Sequence, residues 1–109
     1  MASEITRVDI GSAELTLLVG KGEVAERVEN VDVYVRLVDG SRWSATVISL
    51  PEIARIMERW RATGEYLGGR YFTCPDLVIV REGGIANIID AFKEIMRTGG
   101  PEGILQRVE

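Results

Sequence analysis

The sequence predicts an α+β domain in which an antiparallel meander sheet carries two amphipathic helices packed on one face. Three observations support this class. Two alternating apolar-polar segments flank Asp39-Gly40, a helical apolar pattern follows a capping sequence at residue 49, and a second helical pattern fills residues 85–96. Strands followed by helices are typical of such a sheet. The chain has 109 residues, 46% hydrophobic and 28% charged, and is expected to form a single domain, 1–109.

Two strands are expected before the loop that precedes residue 31. Residues 5–10 alternate weakly between apolar and polar, and residues 13–19 alternate more clearly. Gly20-Lys21-Gly22 then ends the second strand. The acidic segment 23–30 has no clear period and is expected to form a loop.

The length of the loop at Asp39-Gly40 decides which face of the next hairpin is apolar. A two-residue loop would set the apolar residues of one strand opposite polar residues of the other. A three-residue loop with Gly40 left-handed pairs apolar residues instead: Val35 with Trp43, Val33 with Ala45 and Val31 with Val47. We therefore expect the three-residue loop. The opposite face then carries Asp32, Tyr34, Arg36, Arg42, Ser44, Thr46 and Ile48.

Both helices have clear boundaries in the sequence. Ser49 and Glu52 have the spacing of a capping box, in which each side chain accepts a hydrogen bond from the backbone amide of the other. Apolar residues recur at helical spacing as far as Trp60, and Gly64 is expected to end the first helix after residue 63. Gly99 is expected to end the second helix.

The segment 69–80 is expected to form a short hairpin in the core. Tyr71 and Phe72 would lie in a short strand, Cys74-Pro75-Asp76 in a turn, and Leu77–Val80 in a second strand. That second strand is apolar on both faces, which is typical of a strand in the middle of a sheet or beneath a helix.

The charge balance bears on the class of partner. Thirteen lysines and arginines against 17 acidic residues give a net charge of −4, which argues against nucleic-acid binding and suits a basic protein partner. No apolar stretch reaches the roughly 18–20 residues that a membrane-spanning helix requires. A single cysteine and the absence of a secretory pattern in the first residues favour a cytoplasmic protein.

The residue types argue against catalysis. The chain has no histidine, which removes the commonest general base and the usual zinc ligand. Cys74 is better explained as a small turn residue than as a nucleophile, and Gly83-Gly84 as the start of a helix rather than an anion site. Neither a cofactor nor a metal is expected, and we expect no enzymatic activity.

The remaining candidates are residues that could contact a protein. Four acidic residues cluster in and after the 23–30 loop without the spacing of a calcium loop: Glu23, Glu26, Glu29 and Asp32. Tyr34 with Arg36, and Tyr66 with Arg70, combine residue types that are enriched at binding hot spots. A solvated loop and a solvated sheet face explain these residues equally well.

Three sequence features together resemble small bacterial immunity proteins of polymorphic or contact-dependent toxin systems. They are the segment Val-Asp-Val-Tyr-Val-Arg-Leu-Val-Asp-Gly-Ser-Arg-Trp (31–43), the capped helix at 49–63, and Gly69-Arg70-Tyr71-Phe72 followed by Asp76–Val80 and the last helix. The resemblance implies a protein that binds a cognate toxin domain and blocks its active site or access to its substrate. It assigns no role to a particular residue.

Two other functions are compatible with the sequence. The chain could be a homo-oligomeric regulatory or assembly domain that dimerises through the exposed sheet face or an open edge strand. An enzyme that uses Cys74 or a carboxylate is the third possibility, and the missing histidine counts against it.

Overall fold

The computed structural model describes residues 4–20 and 22–108, apart from the side chain of Glu4. The expectations for the first three residues, and for Lys21 in the turn after the second strand, lie outside the described residues. The chain forms β1 (Glu4–Asp9), β2 (Ala13–Val19), a 3₁₀ turn (Ala25–Arg27), β3 (Asn30–Leu37), β4 (Arg42–Ser49), α1 (Leu50–Thr63), α2 (Glu65–Gly69), β5 (Leu77–Val80), α3 (Ile85–Arg97) and β6 (Gln106–Arg107). No helix in the described part of the chain is long and apolar enough to cross a membrane.

One sheet contains all six strands of the described residues. Its order is β1-β2-β3-β4-β5, and β1 to β4 form an antiparallel meander. The two-residue strand β6 pairs with the start of β4, on Trp43 and Ser44. The predicted α+β class with a meander sheet is therefore confirmed.

The prediction of a short hairpin at residues 69–80 was wrong. Residues 71–74 form no strand, and β5 pairs in parallel with the end of β4 rather than with a neighbouring hairpin strand. Because α1 separates β4 from β5, the chain returns along the sheet in the same direction, as parallel pairing requires. β5 ends the strand order, so its apolar sequence marks an edge strand and not a central one.

The hairpin at Asp39-Gly40 has the predicted register. Val35 lies opposite Trp43, and the two pairs that follow along the strands are also apolar. Gly40 has a φ of +89°, the left-handed conformation that the three-residue loop requires. Asp39 stabilises the turn because its Oδ1 atom accepts hydrogen bonds from the amide and the hydroxyl of Ser41.

The main core lies between one face of the sheet and α3. Alternate residues of β2, β3 and β4 are buried there, together with Ile88 and Phe92 of α3, Val28 before β3, and Leu105 in the tail. This places α3 on the apolar face, as predicted. Ile53 and Ile56 of α1 are also buried, but they do not belong to the same cluster.

The start of α1 depends on a network that the sequence predicted only in part. The Ser49 hydroxyl accepts from the amide of Glu52 at 3.2 Å, as expected for an N-cap. The reciprocal half of the predicted capping box was wrong. The Ser49 amide donates to the Glu29 carbonyl, and the Glu52 carboxylate accepts from Arg55.

Close backbone contact explains the glycine pair before α3. The Gly84 amide donates to the Val28 carbonyl at 2.7 Å, so this amide is already used within the fold. A Cβ atom on Gly84 would lie 2.6 Å from the carbonyl oxygen of Glu26. These contacts favour the interpretation of Gly83-Gly84 as a helix start.

Candidate functional site

The structure distributes the eight predicted contact residues over three places. Glu23, Glu26 and Glu29 lie in the segment before β3. Asp32, Tyr34 and Arg36 lie on one face of β3, while Tyr66 and Arg70 lie in and after α2. The three places differ in how far their side chains are engaged in the fold.

Two of the three loop glutamates have roles within the fold. The Glu23 carboxylate accepts from the amide of Gly20 at 2.9 Å. The Glu29 carboxylate accepts hydrogen bonds from Arg55 at 2.8 Å and from the Ser49 hydroxyl at 2.9 Å. Both bonds lower the pKa of Glu29, and the bond from Arg55 has the larger effect. Glu26 is exposed in the 3₁₀ turn. No group of three or more possible metal-binding side chains occurs among the residues described.

Asp32, Tyr34 and Arg36 project from the face of β3 opposite the main core. They are exposed, and the Arg36 guanidinium pairs with Glu14 on β2 at 3.2 Å. The depression beside them has a volume of about 420 Å³ and is lined mainly by polar and charged side chains. This face has the mixed, alternating character of a solvated antiparallel sheet.

Cys74 and Asp76 have structural partners. Asp76 is buried, and its two carboxylate oxygens accept from the hydroxyls of Ser44 at 2.8 Å and Thr46 at 2.9 Å. The Cys74 thiol donates to the same carboxylate at 3.4 Å. Burial alone would raise the pKa of Asp76, but the hydrogen bonds from Ser44, Thr46 and Cys74 outweigh it and lower the pKa. This arrangement fixes the chain entering β5 against β4.

Aromatic rings from α1, α2 and the segment after α2 form a column. The Tyr66 ring stacks on Trp60 with centroids 4.4 Å apart, and Phe72 lies against Trp60 at 5.6 Å. Tyr71 lies 5.1 Å from Tyr66 in a tilted arrangement. Trp60 is half-buried and forms the middle of this column. The column joins the end of α1 to the segment that replaces the predicted strand.

The backbone of α2 is left-handed. Tyr66, Leu67 and Gly68 have φ values of +50°, +55° and +68°, and the amide of Gly68 donates to the carbonyl of Gly64. Consecutive left-handed residues other than glycine are unusual, because Cβ approaches the next carbonyl at a cost of roughly 1–2 kcal/mol for each residue. The surrounding contacts therefore hold two bulky side chains in an unfavourable backbone conformation.

Apolar and aromatic side chains in α2 and directly after it face solvent. Leu67 is 66% exposed, Tyr71 48% and Tyr66 39%. Arg70 is exposed beside them, and its amide donates to the carbonyl of Tyr66 at 3.1 Å. We call Tyr66, Leu67, Arg70 and Tyr71 the 66–71 surface. It combines apolar area, aromatic rings and an arginine in and directly after α2.

Tyr66 and Arg70 of this surface are indicated by the sequence, whereas Leu67 and Tyr71 are not. Tyr71 was expected in a core strand, and Leu67 was not singled out. The glycines at 64, 68 and 69 are the signal of a turn in this segment. They did not reveal that the turn is left-handed through Tyr66 and Leu67, because few residues other than glycine adopt that conformation.

The chain was compared with protein families, curated proteins and solved structures. No protein-family model, curated protein or solved structure matches it.

Proposed function

We propose that this chain is a non-catalytic protein-binding module of the immunity type, which binds and neutralises a cognate bacterial toxin through the 66–71 surface. The observation that carries the proposal is Leu67, a leucine that is two-thirds exposed at a left-handed backbone position. Glycine would fit this backbone without steric cost.

Strained backbone of this kind is concentrated at functional sites, where the surrounding structure maintains it. Leu67 gains little from burial within the chain, since most of its side chain faces solvent. Its conformation therefore has no evident benefit for folding. A role in contacting another molecule accounts for both the residue type and the exposed position.

The chemistry of the 66–71 surface fits a protein partner. Tyrosine and arginine are over-represented among residues that dominate binding energy, and apolar side chains beside them exclude water from the contact. Stacking on Trp60 reduces the freedom of Tyr66 before any partner arrives. An interface of ordinary size, about 800 Å² on each side, would be centred on this surface and extend well beyond it.

The immunity-type assignment is supported by sequence features outside this surface. The resemblance to immunity proteins rests on the segment 31–43, the capped helix at 49–63, and residues 69–72 followed by 76–80 and the last helix. A net charge of −4 favours encounter with a basic toxin domain. The Asp76 carboxylate accepts hydrogen bonds from Ser44, Thr46 and Cys74, which supports a structural role for Cys74 and Asp76. Such an inhibitor would act in the cytoplasm of the cell that it protects.

Co-expression tests the proposal. The product of the gene adjacent to the one encoding this chain would be expressed in bacteria with and without the chain. We expect growth inhibition by the neighbouring product alone, rescue by the chain, and co-purification of a stoichiometric complex. If no neighbouring product binds the chain and none is neutralised by it, the immunity assignment is wrong.

A homo-oligomeric assembly domain is the second candidate. The observation that favours it is that β1 and β5 each pair with one neighbour only within the described sheet. Unpaired strand edges are able to join a second copy. Light scattering separates the candidates: a dimer whose mass does not change on dilution would support the assembly role, and a monomer would contradict it.

A further inference from the structure

A groove runs between the edge strand β5 and α3. Its volume is about 440 Å³, and its lining comprises Ile79, Val80, Arg81, Glu82, Asn87, Asp90 and Ala91. The three helical residues are spaced i, i+3 and i+4, so one face of α3 forms one wall. The strand and the residues that follow it form the other wall.

The strand side of the groove has an available backbone edge. β5 pairs with β4 on one side and with no other strand in the described sheet. Its outer amide and carbonyl groups can therefore add another extended segment. Ile79 is 52% exposed beside this edge, which provides an apolar contact for one side chain of such a segment.

The charged side chains of the groove favour a basic ligand. Its lining contains two carboxylates, Glu82 and Asp90, against one arginine, Arg81. Neither carboxylate forms an ion pair with another described residue. The Asn87 side chain already donates to the Gly83 carbonyl. The groove is therefore best matched by a segment with apolar and basic side chains.

We propose that the groove between β5 and α3 binds an extended segment of a partner protein, with alternating apolar and basic side chains, which adds to β5 as a further strand. This site goes beyond the proposed immunity function because it lies on a different surface from residues 66–71. A second copy of the chain is the less favourable occupant. It would bring the same excess of carboxylates to the same edge, and four residues form a short self-pairing strand.

A synthetic peptide tests this proposal directly. The probe is Ac-Val-Lys-Val-Lys-Val-Lys-NH2, titrated into the ¹⁵N-labelled chain while amide chemical shifts are followed by NMR. We expect saturable shifts in residues 77–82 and 87–91, with binding in the micromolar to millimolar range. The same peptide with two N-methylated central residues cannot form the backbone pairing and should bind at least tenfold more weakly.

Charge variants separate the groove from general attraction to an acidic protein. Glu82→Gln with Asp90→Asn should weaken peptide binding by about threefold to tenfold, since exposed ion pairs contribute modestly. The control Asp32→Asn with Glu102→Gln makes the same change in net charge away from the groove and should leave binding within about twofold. Replacing each lysine of the peptide by glutamate should remove binding.

Four results would overturn the groove proposal: no saturable shifts at millimolar peptide, shifts centred elsewhere, equal binding of the N-methylated peptide, or β5 amide shifts that depend on protein concentration without peptide. The last would show that a second copy occupies the edge. Leu67→Gly should not affect peptide binding. The groove proposal and the immunity function can therefore fail independently.

Discussion

Tyr66 stacks on Trp60 with ring centroids 4.4 Å apart while its own backbone is left-handed. The two facts are connected, because the stack and the close packing of α2 on α1 hold a conformation that tyrosine would otherwise avoid. The result is a surface at the end of α1 on which Leu67 and Tyr71 face solvent.

Gly69 should be essential for this packing. It has a φ of +81°, and an added Cβ atom would lie 1.9 Å from the carbonyl oxygen of Met57 in α1. We expect Gly69→Ala to reduce the free energy of unfolding by at least about 2 kcal/mol, measured by urea denaturation. Gly68→Ala is the matched control: the backbone there is also left-handed but nothing lies within 4 Å, so only about 1 kcal/mol should be lost. Equal losses would contradict the described contact with Met57.

The Ser49 hydroxyl should contribute to stability through both of its hydrogen bonds. It is fully buried, caps α1 through the amide of Glu52, and donates to the Glu29 carboxylate. We expect Ser49→Ala to cost about 1–2 kcal/mol in thermal or urea unfolding. Ser12→Ala, at an exposed turn, should change stability by less than about 0.5 kcal/mol. A neutral effect at Ser49 would show that the network does not stabilise the fold.

Asp76 should make stability depend on acid pH. Its pKa is lowered in the folded chain, so its contribution is present above the ordinary aspartate pKa and is lost as pH falls through the lowered value. Asp76→Asn should cost about 1–3 kcal/mol at pH 7, because an amide cannot accept from Ser44, Thr46 and Cys74 as the carboxylate does. The difference from the parent chain should shrink towards pH 2. A constant difference between pH 7 and pH 2 would contradict the lowered pKa.

The elements that the sequence predicted well are those determined by local patterns. The register of the β3–β4 hairpin followed from matching apolar faces, and the limits of α1 followed from Ser49 and Gly64. The position of β5 could not be found in this way. A run of four apolar residues looks alike in a central strand and at an edge, and only the tertiary path through α1 places it beside β4 in parallel.

The candidate site was predicted less completely for a related reason. Tyr66 and Arg70 were identified by residue type, but the exposure of Leu67 and Tyr71 depends on the handedness of the backbone between them. For Glu29, by contrast, the sequence suggested a contact role where the structure shows bonds within the fold. It was selected as part of an acidic loop, whereas its carboxylate bonds to Ser49 and Arg55 within the fold.

Leu67→Gly should not reduce the free energy of unfolding, although it should weaken partner binding. Glycine removes a left-handed penalty of roughly 1–2 kcal/mol and adds about 0.5–1 kcal/mol of unfolded-chain entropy, so the variant should be as stable as the parent or slightly more stable. Urea denaturation checks this expectation. A loss of more than about 1 kcal/mol would mean that Leu67 serves the fold, and the argument from strain would fail.

The most direct test of the central claim is calorimetric titration of the co-purifying neighbouring gene product with the parent chain, Leu67→Gly and Tyr71→Ser. We predict a one-to-one complex with the parent chain and at least about tenfold weaker binding by each variant, with no loss of folded structure in circular dichroism. An exposed substitution away from the surface, Glu102→Gln, should bind like the parent. Absence of a complex with the parent chain, or equal affinity of the parent and both variants, would contradict the assignment of the 66–71 surface as the protein-binding site.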